Sequence, residues 1–392
     1  MYNYIVVWSL IGFSLLSGLT ANFGGDNTLF SVFFRALAAG IAITLFMNRF
    51  NVKKRLILWL FLTFWSVYFV RLYVSLHLLA EPVSRSPETY WIWSVGACFL
   101  PSMAILVSHD TASLERLRQP PIILSILAGI CLLAAGSTNM TGMSGEIYDI
   151  NRLNIKSLNP ISMGHAGVTV LLLSVGTITI CKRDPSKIFV GLVGIMLGAT
   201  LVLLANSRGP IVSLVITLGI FLLARLRHRS TYLLGGLIFA VASYVVIQFP
   251  ALLFGDSGTF SRFTTISSNG DLAAISRFIS YRGALDQFVG SPLLGDGIEE
   301  RITQQYPHNV ILEAFMATGV LGGGPFLLIF VTAIRSAWGL IQLNSQLAWV
   351  GLVALQQLIG VQFSGSLWAT NTMWVMMILV IVCWQFERES QR

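Results

Sequence analysis

The apolar run HNVILEAFMATGVLGGGPFLLIFVTAI, residues 308–334, decides the fold of this chain. As a helix rising 1.5 Å per residue it is about 40 Å long, enough to cross a hydrocarbon core of about 30 Å. Similar runs recur through the 392 residues, which are 55% hydrophobic and only 11% charged, whereas soluble domains typically have about 25% charged residues. The sequence therefore predicts an all-α polytopic membrane protein.

We predict about twelve transmembrane helices, which form a single integral membrane domain over residues 1–392. Each helix corresponds to one apolar run, and the runs are separated by polar or turn-forming residues. The predicted spans are 4–22, 29–47, 55–75, 91–108, 120–136, 163–181, 188–205, 209–224, 232–254, 308–334, 346–362 and 370–386.

The distribution of positive charge predicts the orientation. If both termini are cytoplasmic, fifteen of the 25 lysines and arginines fall in the cytoplasmic loops and tails, eight fall outside, and Arg35 and Arg71 lie within spans. Short cytoplasmic loops are enriched in these residues. The three longer segments, 76–90, 137–162 and 255–307, then lie outside the cytoplasm, and function is expected on that side.

The longest of these segments, 255–307, contains a predicted short amphipathic helix with the sequence LAAISRFISYRGALDQFVG. Apolar residues recur there at helical spacing, and Ser291-Pro292 ends the pattern. Arg282 lies on the apolar stripe, which we expect to be buried, and Asp286 is one turn away as a possible ion-pair partner. Arg277 lies off the stripe.

Two residues at the outer ends of spans are suited to chemistry. His308 precedes a helix whose free N–H groups favour an anion, although an interfacial histidine can equally be a packing residue. Arg208 lies in the very short turn NSRGP, residues 206–210. A guanidinium there can bind phosphate bidentately, or it can pair with lipid headgroups.

Three charged residues fall in the interior of predicted spans, away from the first and last residues. Arg35 and Arg71 lie toward the outer ends of theirs, where they can snorkel to the interface or join Arg208, Arg277 and Arg282 in one cationic pocket. Glu313 is also intramembrane, and we expect it to pair with one of these cations.

The sequence also narrows the reaction. It has no Asp-x-Asp pair, His/Cys cluster, P-loop, G-x-S-x-G or H-E-x-x-H motif, so we expect neither a metal nor a cofactor. The net charge of +8 comes from residues scattered in loops, which does not suggest nucleic-acid binding. A transferase outside the cytoplasm needs a donor that is already activated. A lipid pyrophosphate in the same bilayer would meet that need, with arginines on its phosphates and a histidine as base.

Three stretches, in this order and spacing, resemble the O-antigen polymerase and ligase superfamily (Wzy/WaaL type). They are ANSRGP (205–210), SRFISYRGALDQFVGSPLLGDGI (276–298) and YPHNVILEAFMATGVLGG (306–323). The resemblance is specific over about residues 200–325. Elsewhere it depends only on the number of spans and their orientation.

The resemblance implies metal-independent glycosyl transfer at the periplasmic face of the bacterial inner membrane, from an undecaprenyl-pyrophosphate-linked glycan and without a cofactor. The family arginines match Arg208 and Arg277, and the histidine of the His-Asn motif matches His308. Asn309 completes that motif as a substrate-binding candidate. Arg282, Arg35 and Arg71 are added to the binding site from their positions alone. A chain-length-regulating co-polymerase is a further implied partner.

Two alternatives remain open. A polymerase and a ligase share this donor but differ in acceptor, which is a second lipid-linked repeat unit or the sugar core of lipid A. The compact segment 255–307 favours the polymerase, because it leaves little protein to recognise a lipid A core. A secondary transporter would also suit about twelve spans, but such transporters place their sites near the midplane on repeated, broken helices, and no repeat is present here.

Overall fold

The computed structural model describes residues 1–23, 27–48, 55–138, 153–155, 157–180, 184–225 and 272–391. These residues form helices joined by short connections, and no named strand occurs among them. In chain order the helices are α1 Tyr2–Asn22, α2 Asn27–Asn48, α3 Arg55–Leu78, α4 Pro87–Val107, α5 Thr111–Arg116, α6 Ile122–Thr138, α7 Pro160–Ile180, α8 Pro185–Ala205, α9 Arg208–Arg225, α10 Leu272–Gly290, α11 Val310–Gln342, α12 Ala348–Ser364 and α13 Asn371–Ser390.

Seven helices in this part of the chain are long and apolar enough to cross a membrane: α1, α3, α4, α7, α8, α9 and α11. Shorter apolar helices occur at Val32–Asn48, Ile122–Gly136 and Ala348–Ser364. The all-helical architecture is confirmed for these residues, and the apolar helices indicate a multi-pass membrane protein. The number twelve stays a prediction, and the predicted span 232–254 lies outside the described residues.

Helix α13 lies at the centre of the bundle. Its residues are buried along most of its length, as expected for a helix that is apolar on every side. The Trp374 ring packs against Trp65 and Phe64 of α3 at centroid distances of 4.8 and 5.2 Å, and against Phe326 of α11 at 5.5 Å. Such aromatic pairs stabilise a core by about 0.5–1.5 kcal/mol each beyond their buried area. The Trp374 ring of α13 therefore contacts both α3 and α11.

Helix α11 is broken at Gly319, where φ is 56° and ψ is −158°. At 1.5 Å per residue, residues 320–342 alone are about 34 Å long and can cross the membrane. The connector between α10 and the turn before α11, residues 291–297, lies in the break. There the N–H groups of Val320 and Leu321 donate to the carbonyls of Pro292 and Leu293 at 2.8 and 3.3 Å. The polar ends created by the break are therefore paired with protein.

The predicted helix in the segment 255–307 is present as α10, but its buried side differs from the expected one. Most of the predicted apolar stripe is exposed, including Phe278 at 68% and Val289 at 74%, and Arg282 is exposed with it. Ser280 and Ala284, on the opposite side, are buried. The prediction that Arg282 lies on a buried face was wrong. Short side chains on the other face allow close packing against the rest of the protein.

Candidate active site

His308 is held in an unusual backbone conformation immediately before α11. Its φ is 58°, in the left-handed region that non-glycine residues seldom adopt. Asn309 is the N-cap of α11, and its side-chain oxygen accepts hydrogen bonds from the N–H groups of Ile311 and Leu312 at 3.1 and 3.0 Å. Left-handed backbone at a non-glycine residue costs about 1–3 kcal/mol and is concentrated at functional sites.

The imidazole of His308 is half-buried and packs against Tyr306, with ring centroids 4.4 Å apart. Its buried Nδ1 has no hydrogen-bond partner among the described residues. Burial, with a further contribution from the charge of Arg277, lowers the pKa of His308 to about 4. The ring is therefore neutral near pH 7 and can accept a proton.

Arg277 lies on the side of α10 that faces the protein. The buried side of α10 packs on the turn that precedes His308, where the hydroxyls of Ser280 and Thr303 are 3.0 Å apart. Gly283 lies against the Glu300 side chain so closely that a Cβ there would be 2.2 Å from Oε1. These contacts set the register of α10, and the charge of Arg277 acts on His308 as a result.

The end of α12 connects the two segments. The backbone carbonyl of Gln362 accepts hydrogen bonds from the Tyr281 hydroxyl of α10 and from the Asn309 side-chain amide, both at 3.4 Å. The neighbouring residue, Phe363, lies beside the arginine turn, because a Cβ added to Gly209 would be 3.7 Å from the Phe363 Cβ. All three sequence motifs therefore meet at this end of α12.

Arg208 begins α9 directly after a sharp turn. Helix α8 ends at Ala205, and the left-handed backbone of its C-cap Asn206 (φ 46°) reverses the chain. The first turn of α9 is packed tightly on α7, since a Cβ on Gly164 would be 2.7 Å from the Pro210 side chain. This packing holds Arg208, which is half-buried, at the end of the bundle that carries His308.

Arg71 is committed to the protein backbone. Its guanidinium donates to the carbonyls of Leu294, Gly295 and Asp296 in the connector, at 3.0, 2.6 and 3.0 Å. It also donates from Nε to the carbonyl of Ala317, beside the break in α11, at 3.2 Å. Because each of its three nitrogens is used in this way, Arg71 supports the helix break.

Arg35 and Arg282 have surroundings of their own. Arg35 is buried, with 8% of its surface exposed, and its guanidinium lies 3.4 Å from the centroid of the Trp93 ring. Arg282 is exposed on the side of α10 away from the protein, and within the described residues it forms no ion pair with Asp286. A single pocket that joins these arginines to Arg208 and Arg277 stays a prediction.

Glu313 takes a different partner from the one expected. It is fully buried, and its Oε2 accepts a hydrogen bond from the backbone N–H of Leu367 at 3.0 Å. Its Oε1 has no partner among the described residues, and none of the arginines described forms an ion pair with it. The expectation of a cationic partner was wrong for this part of the chain, because a backbone N–H next to α13 takes that place.

The sequence did not indicate a role for Arg85, nor the hydrogen bonds from Ser84 and Tyr90 to Glu299 that hold its segment in place. The carboxylate of Glu299 accepts hydrogen bonds from the Ser84 N–H and hydroxyl at 2.7 and 2.6 Å and from the Tyr90 hydroxyl. The segment before α4 is thereby tied to the turn that leads to His308. The charge of Arg85 acts on Tyr306, whose pKa is raised by burial. Arg85 belongs to no charge run or motif that would have indicated it, because it is an isolated arginine in a polar loop.

The fold and these contacts define a class of protein: a multi-pass helical membrane protein in which segments that carry a histidine and two arginines meet at one end of the bundle. No group of three or more His, Cys, Asp or Glu side chains suited to a metal occurs in the described part of the chain. The arrangement is suited to binding an anion and moving a proton.

Residues 193–327 match the family described as O-antigen ligase. The matched segment includes Arg208, Arg277 and His308, and it supports the resemblance to the O-antigen polymerase and ligase superfamily. The chain matches no curated protein and no solved structure. The match favours a role in O-antigen or related polysaccharide assembly at a membrane.

Proposed function

We propose that this protein transfers a glycan from an undecaprenyl-pyrophosphate donor to an acceptor hydroxyl at the periplasmic face of the bacterial inner membrane. The segments that carry Arg208, Arg277 and His308 meet at the Gln362 end of α12 through Gly209, Tyr281 and Asn309, and this is the observation that carries the proposal. Asn309 is also part of the proposed site, chiefly as the cap that holds His308 at the start of α11.

In the proposed reaction, the acceptor oxygen attacks the anomeric carbon of the donor sugar. A new glycosidic bond forms, and the bond from that carbon to the pyrophosphate oxygen breaks. Neutral His308 takes the proton from the acceptor hydroxyl. Arg277 and Arg208 bind the pyrophosphate, on which negative charge develops as it leaves, and removal of one such stabilising group typically costs about a hundred- to a thousand-fold in rate.

We infer that the acceptor is a second lipid-linked repeat unit, so that the reaction is polymerisation. The short length of segment 255–307 supports this, because it leaves little protein for a bulky lipid A core. In its described part, the turn before His308 is packed against α10. The family description, O-antigen ligase, keeps transfer to lipid A core as the alternative.

Secondary transport is less favoured. Transporters use broken helices to expose backbone groups to an ion or substrate. The break in α11 is instead filled by the connector and by Arg71, so that its N–H and carbonyl groups are paired within the protein.

The His308→Ala variant tests both the chemistry and the acceptor. Loss of a general base should slow transfer by about a hundred- to ten-thousand-fold while donor binding persists. If the product is O-antigen, a dead polymerase leaves lipid A core with a single repeat unit, which we expect on gels of lipopolysaccharide. Bare core with stored lipid-linked polymer would identify a ligase. An unchanged ladder would remove His308 from the mechanism.

A further inference from the structure

Arg71 and the break in α11 form a joint between α10 and the membrane-spanning bundle. Helix α10 and the turn 299–303 pack on each other, through Ser280 with Thr303 and through the Gln287 side chain, which accepts from the Arg301 N–H at 3.0 Å. They therefore behave as one unit. Its connector, 291–297, enters the bundle at the break.

The fit of the connector in the break is close. Gly295 (φ 75°) and Gly319 (φ 56°) both have left-handed backbone. A Cβ on Gly295 would lie 2.3 Å from the carbonyl carbon of Ala317, and a Cβ on Gly319 would lie 2.3 Å from that of Leu293. The Asp296 N–H also donates to the carbonyl of Met316 at 2.9 Å. Backbone is thus packed on backbone, and small shifts of the connector would break these contacts.

Arg71 fastens this joint from α3. Its four hydrogen bonds reach three successive carbonyls of the connector and, through Ala317, the end of the first half of α11. The first half of α11 begins next to His308, and the connector follows directly from the helix that carries Arg277. One guanidinium therefore holds the two segments that present these residues.

We propose that Arg71 is a positioning residue, which fixes the placement of Arg277 relative to His308 by locking the connector into the break of α11. This inference depends on the proposed function only in the roles that it gives those two residues. A misplacement of about 1 Å at a reacting centre can cost about a hundred-fold in rate, so loss of the lock should reduce transfer without removing any group that touches the substrate.

Asp296 of the connector provides a matched control, because it binds two different arginines. Arg301 forms an ion pair with the carboxylate of Asp296 at 2.7 Å, and 65% of its side chain is exposed. Arg71 binds the carbonyl of that same Asp296 inside the joint. Arg301→Ala removes an arginine from the outside of the connector, whereas Arg71→Gln and Arg71→Lys change the lock within it.

The experiment uses the full-length protein in lipid nanodiscs. Spin labels are placed on cysteines at Asp286 of α10 and at Leu312, which is half-buried in the first half of α11, in a variant without the native cysteines. Pulsed electron paramagnetic resonance then reports the distance between the two segments. Turnover and KM are measured for the unlabelled Arg71→Gln, Arg71→Lys and Arg301→Ala variants with the lipid-linked donor.

We expect one narrow distance in the parent and in Arg301→Ala, and a broadened or shifted distance in Arg71→Gln. The kcat of Arg71→Gln should fall about 10- to 100-fold, with a smaller change in KM. Arg71→Lys should recover part of this, because one ammonium cannot bind four carbonyls in the geometry of a guanidinium fork. It also provides the measurement if Arg71→Gln does not accumulate.

An unchanged distance together with unchanged kcat per folded molecule, even at a lower melting temperature, would overturn the proposal and leave Arg71 a purely structural residue. The distance measurement does not use catalysis. If His308→Ala and Arg277→Ala retained full transfer, the proposed function would fail while the lock itself was still tested.

Discussion

The Asn309 side-chain amide donates to the backbone carbonyl of Gln362 at 3.4 Å, across 53 positions of the chain. The other end of the same amide group caps α11. Asn309, the residue after His308, therefore uses its donor to bind the end of α12 and its acceptor to cap α11. The His-Asn pair is thus one unit, in which the asparagine orients the backbone that presents the histidine.

Two arginines of α10 make a matched pair for mutagenesis. Arg277→Ala should reduce glycan transfer by about a hundred- to a thousand-fold, because it removes a group that stabilises the departing pyrophosphate. Arg282→Ala should stay within a few-fold of the parent, because that side chain is exposed on the opposite side of the helix. Transfer can be measured with a labelled lipid-linked donor and normalised to the amount of membrane-inserted protein.

Arg208→Ala should behave like Arg277→Ala, because both arginines are proposed to bind the same pyrophosphate. Lysine at either position should restore little activity, since an ammonium does not reproduce bidentate binding of phosphate. The same labelled-donor assay applies. Equal activities for Arg277→Ala and Arg282→Ala, or full activity of Arg208→Ala, would contradict the proposed pyrophosphate site.

The pH dependence should differ between the free enzyme and its donor complex. In the free enzyme the pKa of His308 is about 4, below its ordinary value near 6.5, so the base is available at every pH above about 4. Bound pyrophosphate adds negative charge beside Arg277, and this charge should raise the pKa of His308. The acid limb of kcat should therefore lie at higher pH than that of kcat/KM. Coincident limbs, or an acid limb retained in His308→Gln, would argue against this role.

Gly319 and Gly40 should respond to alanine with opposite signs. Helix propensity alone favours alanine by about 1 kcal/mol, and Gly40 has no atom within 4 Å of an added Cβ, so Gly40→Ala should be neutral or stabilising. Gly319→Ala places a Cβ 2.3 Å from the carbonyl carbon of Leu293 in left-handed backbone, and should cost at least about 1–3 kcal/mol. Melting temperatures of the purified protein would decide, and a stabilised Gly319→Ala would mean that α11 is continuous.

The orientation can be tested with single cysteines at exposed positions. Asp286→Cys on α10 should react with an impermeant thiol reagent in intact cells, whereas Ser186→Cys at the start of α8 should react only after the membrane is opened. Both variants lack the native cysteines. Labelling of Ser186→Cys alone in intact cells would reverse the topology and place α10 in the cytoplasm.

Most helices could be predicted from the sequence because each apolar run must satisfy its own backbone in lipid. The predicted span 209–224 corresponds to Arg208–Arg225, and 188–205 to Pro185–Ala205. The break in α11 was not predicted. Its apolar run continues on both sides of Gly319, and the connector that fills the gap is recognisable only in three dimensions.

The candidate site was only partly accessible from sequence. Arg208, Arg277 and His308 could be chosen by residue type and by resemblance. Gln362 could not, because it contributes a backbone carbonyl, which every residue has. The distinction between Arg277 and Arg282 also failed at this level. Which of the two arginines faces the protein depends on which side of α10 packs on the bundle. That side carries the small residues Ser280 and Ala284, whereas the large apolar residues are exposed.

The hydrogen bonds of Arg71 have a consequence for biogenesis. Its partner Ala317 lies 246 positions later in the chain. At about 5–20 residues per second, roughly 12–50 s pass between the synthesis of the two residues. During that time the guanidinium of Arg71 must form its hydrogen bonds with water or lipid headgroups. Its final partner on α11 has not yet been synthesised. The end of the bundle that carries His308 is therefore assembled late, around a cation that is inserted near the beginning of translation.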